Sequence, residues 1–190
     1  MGRFSSAERR ALLEVARRSI AHGVERGRPC PIDLPSFAEA LHEPLATFVT
    51  LTQTSELRGC IGSLEPRRPL VEDVAHNAFN AAFRDPRFPP VNAGECATLE
   101  LHISILQPPE PMTFRDEADL LAQIRPGIDG LVLEDGFRRG TFLPSVWEQL
   151  PEARAFWRHL KRKAGLSEAH WSRTLRVSRY TTEEFGAEQV

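Results

Sequence analysis

The sequence predicts an α+β chain whose strands pair mainly antiparallel, and three observations carry that reading. Residues 98–106 alternate strictly: Leu99, Leu101, Ile103 and Ile105 fall on one side, Thr98, Glu100, His102 and Ser104 on the other. That is the period-two pattern of a half-buried strand. Leu131-Val132-Leu133 leads into Asp135-Gly136, a two-residue hairpin signal. Helical stripes and strand segments do not alternate as βαβ units, and hairpins recur.

Taken in order, the elements follow from local chemistry. Residues 6–24 read as a helix, because Ser5 and Glu8 fit a capping box and Leu12, Val15, Ala16 and Ile20 form a 3.6-period stripe. Gly23 and Gly27 are expected to end it, and a proline-rich crossing follows to Pro35. Residues 46–52 are β-branched and aromatic, hence a strand. A polar turn at Gln53 to Glu56 leads to its expected hairpin partner, Leu57–Leu64. Pro69 suits a helix start, and Leu70, Val71, Val74, Ala75, Ala78, Phe79, Ala82 and Phe83 give that helix a wide apolar face, stopped by Asp85-Pro86. Beyond the strand at 98–106 come a helix near 117–124, the hairpin at Asp135-Gly136 and a short helix after Leu143-Pro144. Then follow a helix carrying Ala153, Phe156, Trp157, Leu160 and Ala164, closed by Gly165, and a final strand at Leu175–Tyr180.

Bulk properties narrow the function classes. The chain has 190 residues, 41% of them hydrophobic and 26% charged, enough for a core without staples. Twenty-four Lys and Arg stand against 26 Asp and Glu, a net charge of -2, which gives no footprint for nucleic acid or an anionic membrane. Three widely spaced cysteines, Cys30, Cys60 and Cys96, form neither a disulfide framework nor a metal motif. No apolar run is long enough to span a bilayer, and arginines 9, 10, 17 and 18 interrupt any signal core. These features predict a cytoplasmic chain. The sequence assigns no cofactor.

The segment Leu57-Arg58-Gly59-Cys60-Ile61-Gly62 is the strongest candidate site. On a regular strand Arg58, Cys60 and Gly62 share a face, about 6.6 Å apart per residue pair. A guanidinium beside a thiol favours the thiolate, and Gly59 and Gly62 suggest close approach by a ligand or by another backbone. The competing reading makes Cys60 a small core residue and the glycines a bulge. Glu100 and His102 are the proton-transfer candidates if strand 98–106 lies beside strand 57–64; otherwise they line a solvated sheet face. Arg87 either clamps an anion bidentately or, with Asp85, fixes the turn after the helix. Asp73, His76, Asn77 and Asn80 share a helical face, read as a polar outer surface rather than a carboxylate–imidazole site.

Several blocks occur in a telling order. Leu57–Gly62 is followed by Asn77-Ala78 and by Ala81-Ala82-Phe83-Arg84-Asp85-Pro86-Arg87-Phe88. Ile103-Ser104-Ile105-Leu106, Gly127-Ile128-Asp129-Gly130-Leu131 and Phe142-Leu143-Pro144 come next, then Lys163-Ala164-Gly165-Leu166 and Trp171. This series resembles the AMMECR-one domain family across residues 5–186, whose bacterial form is protein A of the AmmeMemoRadiSam system. The resemblance implies two α+β subdomains within one domain, with a cleft near the signature. It also implies a Memo-like protein and a radical SAM protein as partners. It implies no reaction. Two roles are therefore expected: a cysteine-dependent enzyme or enzyme component, with Cys60 the nucleophile, or a non-catalytic module that docks a partner through Leu57–Gly62.

Overall fold

A computed structural model describes residues 2–189. It contains α1 (Ser6–Arg26), β1 (Thr47–Gln53), β2 (Glu56–Gly62), α2 (Leu70–Phe83), β3 (Glu100–Leu106) and β4 (Glu110–Pro111), followed by α3 (Glu117–Gln123), β5 (Gly130–Asp135), β6 (Arg138–Phe142), α4 (Ala153–Lys163), β7 (Arg176–Tyr180) and β8 (Thr182–Gly186). The chain divides into two compact units, Met1–Leu106 with Glu183–Val190, and Gln107–Thr182. The α+β class and the two subdomains expected from the sequence are both present. No helix among the described residues is long and apolar enough to cross a membrane.

The first unit is a four-stranded sheet in the order β2-β1-β3-β8, with α1 and α2 against one face. Val49, Leu51, Leu101, Ile103 and Ile105 point inward and are buried with Leu12, Ala16, Val71, Val74 and Ala78. Each fully buried aliphatic side chain contributes about 1.5–3 kcal/mol, so the alternation of β3 fixes which face is wet. Helix α1 begins with the expected capping box, Ser5 accepting from Glu8 N–H and Glu8 reaching back to Ser5. It ends at Gly27, whose φ is +66°. Gly23 does not end it; a Cβ there would lie 2.3 Å from Phe83 Cε2, so this glycine lets α1 and α2 approach.

One expectation for α2 is overturned. Asp73 and Asn77 are buried, not on a polar outer face. Asp73 Oδ2 accepts from Thr47 N–H at 3.0 Å, Thr47 Oγ1 at 2.7 Å and Asn77 Nδ2 at 2.9 Å. Burial pushes the Asp73 carboxyl above its ordinary value, against the pull of the Thr47 hydrogen bonds and the Arg68 charge. An apolar periodicity cannot announce this, because the helix is buried round more than its apolar stripe.

The second unit carries an antiparallel sheet, β4-β7-β5-β6, with Leu131, Leu133, Phe156, Trp157, Leu160 and Val177 in its core. Trp147 stacks on Phe156 with ring centroids 3.8 Å apart. Asp135-Gly136 turns the β5–β6 hairpin, with Gly136 at φ +61°. Asp135 also accepts from His170, Ser172 and Thr174 at 2.6–2.8 Å, and these bonds, Thr174 first, hold its carboxyl down at about 2.

Candidate functional site around Cys60

The geometry of the signature depends on one residue. The β1–β2 hairpin starts in a simple register, Gln53 opposite Glu56 and Thr52 opposite Leu57. It then jumps: Leu51 faces Gly59, Thr50 faces Cys60 and Val49 faces Ile61. Arg58 is the extra residue of a β-bulge. A shift of one residue moves every later side chain to the opposite face. Without the bulge Cys60 would stand opposite Val49, which is fully buried. With it, Cys60 stands opposite half-buried Thr50 on the outer face. The expected single face for Arg58, Cys60 and Gly62 therefore does not hold across the bulge.

The glycines serve this local geometry. Gly59 faces α2, where a Cβ would lie 2.2 Å from the carbonyl oxygen of Ala81. Gly62 lies under Phe48, where a Cβ would lie 2.3 Å from ring carbon Cγ. A helix backbone and an aromatic ring thus make the close approaches that the glycines permit.

Cys60 is half-buried and free of any disulfide. Thr50 Oγ1 donates to its sulfur at 3.2 Å. Strand β2 is an edge strand, and the residue pair Thr50–Cys60 points the Cys60 backbone groups outward. A carboxylate–guanidinium pair takes them in place of a neighbouring strand. Asp85 Oδ2 accepts from Cys60 N–H at 2.9 Å, and Arg87 Nη2 donates to Cys60 O at 3.3 Å. Arg87 also donates to Asp85 through Nε at 2.9 Å and Nη2 at 2.7 Å.

These contacts set the charges. Asp85 is buried; the Arg87 hydrogen bond, helped by N–H donors from Cys60 and Arg87, outweighs desolvation and holds its carboxyl well below the usual range. Arg87 is raised, first by its Asp85 hydrogen bond, then by the charges of Asp85 and Cys60, against desolvation. Its side chain remains 55% exposed. Asp85-Pro86-Arg87 therefore fixes the turn, one of the two readings of Arg87, and leaves a solvent-facing guanidinium over the thiol-bearing strand.

Arg58 goes elsewhere. Its Nε and Nη2 donate to Glu95 at 2.8 and 3.2 Å, and Nη1 donates to Pro89 O at 3.0 Å. The pair is largely shielded, with Arg58 12% and Glu95 20% exposed. This is a loop anchor: it ties residues 89–95 to the bulge, and each of its three nitrogens donates there. The arginine that answers to Cys60 charge is Arg87.

His102 and Glu100 share the outer face with Cys60, but β3 does not neighbour β2; β1 lies between them. His102 is opposite Thr50 and Glu100 opposite Thr52. Two successive pairings separate the Cys60 and His102 backbones by roughly 10 Å. The imidazole lies over Gly186, where a Cβ would be 2.9 Å from Nδ1, on the side of β3 away from Cys60. Glu100 accepts from Thr52 Oγ1 at 3.1 Å. The adjacency that a Cys–His pair requires is absent. Among the described residues no three His, Cys, Asp or Glu side chains group to hold a metal ion.

Thr50 and Glu95 take central places that sequence reasoning did not assign, and Asp85, read there only as the partner of Arg87 in the turn, also accepts the Cys60 N–H. Thr50 was readable only with the bulge known, because a plain hairpin pairs Cys60 with Val49. A run of Arg58-Gly59 in a strand is the signal that was available for the bulge.

Comparison with known proteins matches this architecture. A protein of Methanothermobacter thermautotrophicus is 36% identical over 186 residues, covering 96% of this chain and 95% of its own. Protein MJ0810 of Methanocaldococcus jannaschii is 37% identical over 158 residues, covering 81% and 79%. The crystal structure of the Pyrococcus horikoshii protein PH0010 superimposes with a TM-score of 0.83 at 35% identity, covering 94% of this chain and 90% of that one. The family model for AMMECR1 matches residues 13–185, and the chain belongs to the AMMECR1 family.

Proposed function

We propose that the outer face of the first sheet is a cysteine-dependent site, as part of an enzyme or enzyme component, in which Cys60 is the nucleophile. One observation carries it: the Arg58 bulge turns the sulfur out of the core, onto a face where Thr50 donates to it. The same hydrogen bond fixes where the sulfur sits on that face. Arg87 is the substrate-binding residue of this reading. Half its side chain faces solvent, and with Nε and Nη2 held by Asp85 and Cys60 O, Nη1 is the nitrogen left to donate to an anion, a charge-assisted hydrogen bond. Gly59 and Gly62 act by shaping the strand. His102 and Glu100 act on the substrate rather than on the thiol, since Thr50 stands between. Memo-like and radical SAM proteins are the partners we assign, from the family resemblance.

The test compares iodoacetate, an anion, with neutral iodoacetamide. Cys60 labelling by iodoacetate is expected to fall at least ~10-fold in Arg87→Gln, with a smaller fall for iodoacetamide, since a charge-assisted hydrogen bond contributes about 1.5–3 kcal/mol. Thr50→Val is expected to slow both reagents. Equal effects of Arg87→Gln on the two reagents would remove the anion-binding role.

A second reading is favoured by Leu57, which is 43% exposed on the same strand, beside the loop that Arg58 anchors through Glu95. Here Leu57–Gly62 is a docking surface for a protein partner. Arg58→Ala would then abolish co-purification with the Memo-like or radical SAM protein while Cys60→Ser preserves it; unchanged co-purification in Arg58→Ala ends this reading.

A further inference from the structure

A polar cleft lies in the second unit, where the residues before β4, the loop after α3 and the end of β7 come together. It measures about 180 Å³, and Gln107, Glu110, Arg125, Arg179 and Thr181 are among its lining. Gln107 N–H donates to Thr181 O at 2.9 Å and joins two of these segments. Arg179 is the unusual member. Every other arginine of this unit is exposed, whereas Arg179 is half-buried, with 33% of its side chain in solvent. Among the described residues its guanidinium makes no hydrogen bond. Its charge partner there is Glu110, whose Oε2 lies 3.8 Å from Nε on a side chain that is 76% exposed. Arg125 is the second cation, and it is fixed. Its Nε and Nη2 donate to fully buried Asp129 at 2.6–3.2 Å, and its backbone N–H donates to Asp129 Oδ2 at 2.9 Å. Its Nη1 makes no hydrogen bond among the described residues.

The lining has a surplus of donors. The Gln107 amide, the Thr181 hydroxyl, the Arg179 fork and Arg125 Nη1 all donate, and Glu110 is the one carboxylate that lines the cleft. A partly desolvated guanidinium without hydrogen bonds is unfavourable unless an acceptor reaches it. Glu110 answers weakly, because a loose ion pair on an exposed side chain contributes little. The donors come from three segments of chain, so they meet an ion from several sides. A carboxylate accepts mainly in its own plane, whereas a tetrahedral oxyanion accepts from several sides and suits arginine forks. The volume takes a phosphoryl group rather than a drug-sized molecule, whose sites begin at about 300 Å³. We infer that this cleft binds inorganic phosphate or the phosphoryl group of a small monoester, with Arg179 and Arg125 Nη1 on its oxygens and Glu110 displaced into solvent.

Glu110 is then a competitor for the site and not a ligand-binding group. Its carboxylate occupies the charge of Arg179 only at arm's length, and an oxyanion in hydrogen-bond contact replaces it. Removing the carboxylate and removing the arginine therefore act in opposite directions.

The probe is inorganic phosphate, titrated into the full chain at constant ionic strength and followed by amide resonances. Saturable shifts are expected at Gln107, Arg125 and Thr181. Arg179→Gln is expected to weaken binding at least ~10-fold, the loss of a charge-assisted hydrogen bond. Glu110→Gln is expected to tighten it about 2- to 5-fold, the worth of an exposed ion pair. Arg173→Gln, at an exposed position of the same unit, is expected to leave it unchanged. Acetate is expected to bind more weakly than phosphate. Methyl phosphate is expected to shift the same amides; tighter binding than phosphate assigns the ester as ligand, and weaker binding assigns the free ion. Shifts that are absent or still linear at tens of millimolar phosphate would overturn the inference. So would acetate binding as tightly as phosphate, Arg173→Gln weakening binding as much as Arg179→Gln, or Glu110→Gln binding no tighter than wild type. None of these readouts involves Cys60, so the outcome is separable from the reading of the first sheet's outer face.

Discussion

At the scale of single residues, Asp85 is the group on which the Cys60 backbone hangs. It is buried, accepts Cys60 N–H and pairs with Arg87. Replacing it with alanine leaves an edge N–H without its acceptor and frees the guanidinium. The expected cost is about 2–3 kcal/mol, the worth of hydrogen bonds to a charged group, read by urea unfolding at pH 7. The pH dependence has a definite sign. The folded carboxyl titrates below its unfolded value of about 3.9. Its stabilisation is therefore complete above about pH 4 and is lost as pH falls toward the folded value. The stability gap between wild type and Asp85→Asn is expected to shrink progressively below pH 4; a gap that is constant from pH 7 to pH 2.5 would show that the charge of Asp85 contributes nothing.

At the scale of elements, the hairpin β1–β2 and helix α2 are built for each other. Gly59 packs against the Ala81 carbonyl, a backbone atom that cannot swing away. Gly59→Ala is expected to cost about 1–3 kcal/mol by overpacking and to expose the α2–β2 contact to faster hydrogen exchange. A stability equal to wild type would mean that the strand shifts freely, and the bulge with it. This is also where legibility divides. The strand β3 was readable because its inner face alternates without interruption from Leu99 to Ile105. Helix α1 was readable from Ser5, Glu8 and its apolar stripe. Strand β8 escaped notice because Thr182–Gly186 has a polar sequence with one buried anchor, Phe185, and joins its sheet through partners far along the chain. The signature segment was found, but its facing was not. Periodicity counts residues, whereas a bulge inserts one, and everything from Gly59 onward changes side. The reach of Arg58 to Cys60 and the pairing of Cys60 with His102 rested on that count and on strand neighbours that only the fold supplies. Asp73 and Asn77 eluded the reading for a related reason: burial of a polar helix face is decided by what packs on it.

At the scale of the whole molecule, each of the two units carries its own hydrophobic cluster. In the second, Phe156 is fully buried between Trp147 and Phe142. Phe156→Ala is expected to cost about 3–5 kcal/mol, with hydrogen-exchange protection lost across residues 107–182. Equal loss in the strands β1 to β3 would show that the units unfold together. The three cysteines sample three different settings of the fold. Cys30 is 6% exposed in the core. Cys96 lines an aliphatic cavity, and burial pushes its thiol up. Cys60 faces outward beside a hydroxyl donor and a solvent-facing arginine. Alkylation of the native chain by iodoacetamide at pH 7, resolved by peptide mass mapping, compares them in one sample. The bulge-exposed site requires Cys60 to be modified first and at least ~10-fold faster than the other two. Slow labelling of all three at one common rate, or Cys30 or Cys96 reacting ahead of Cys60, would contradict it.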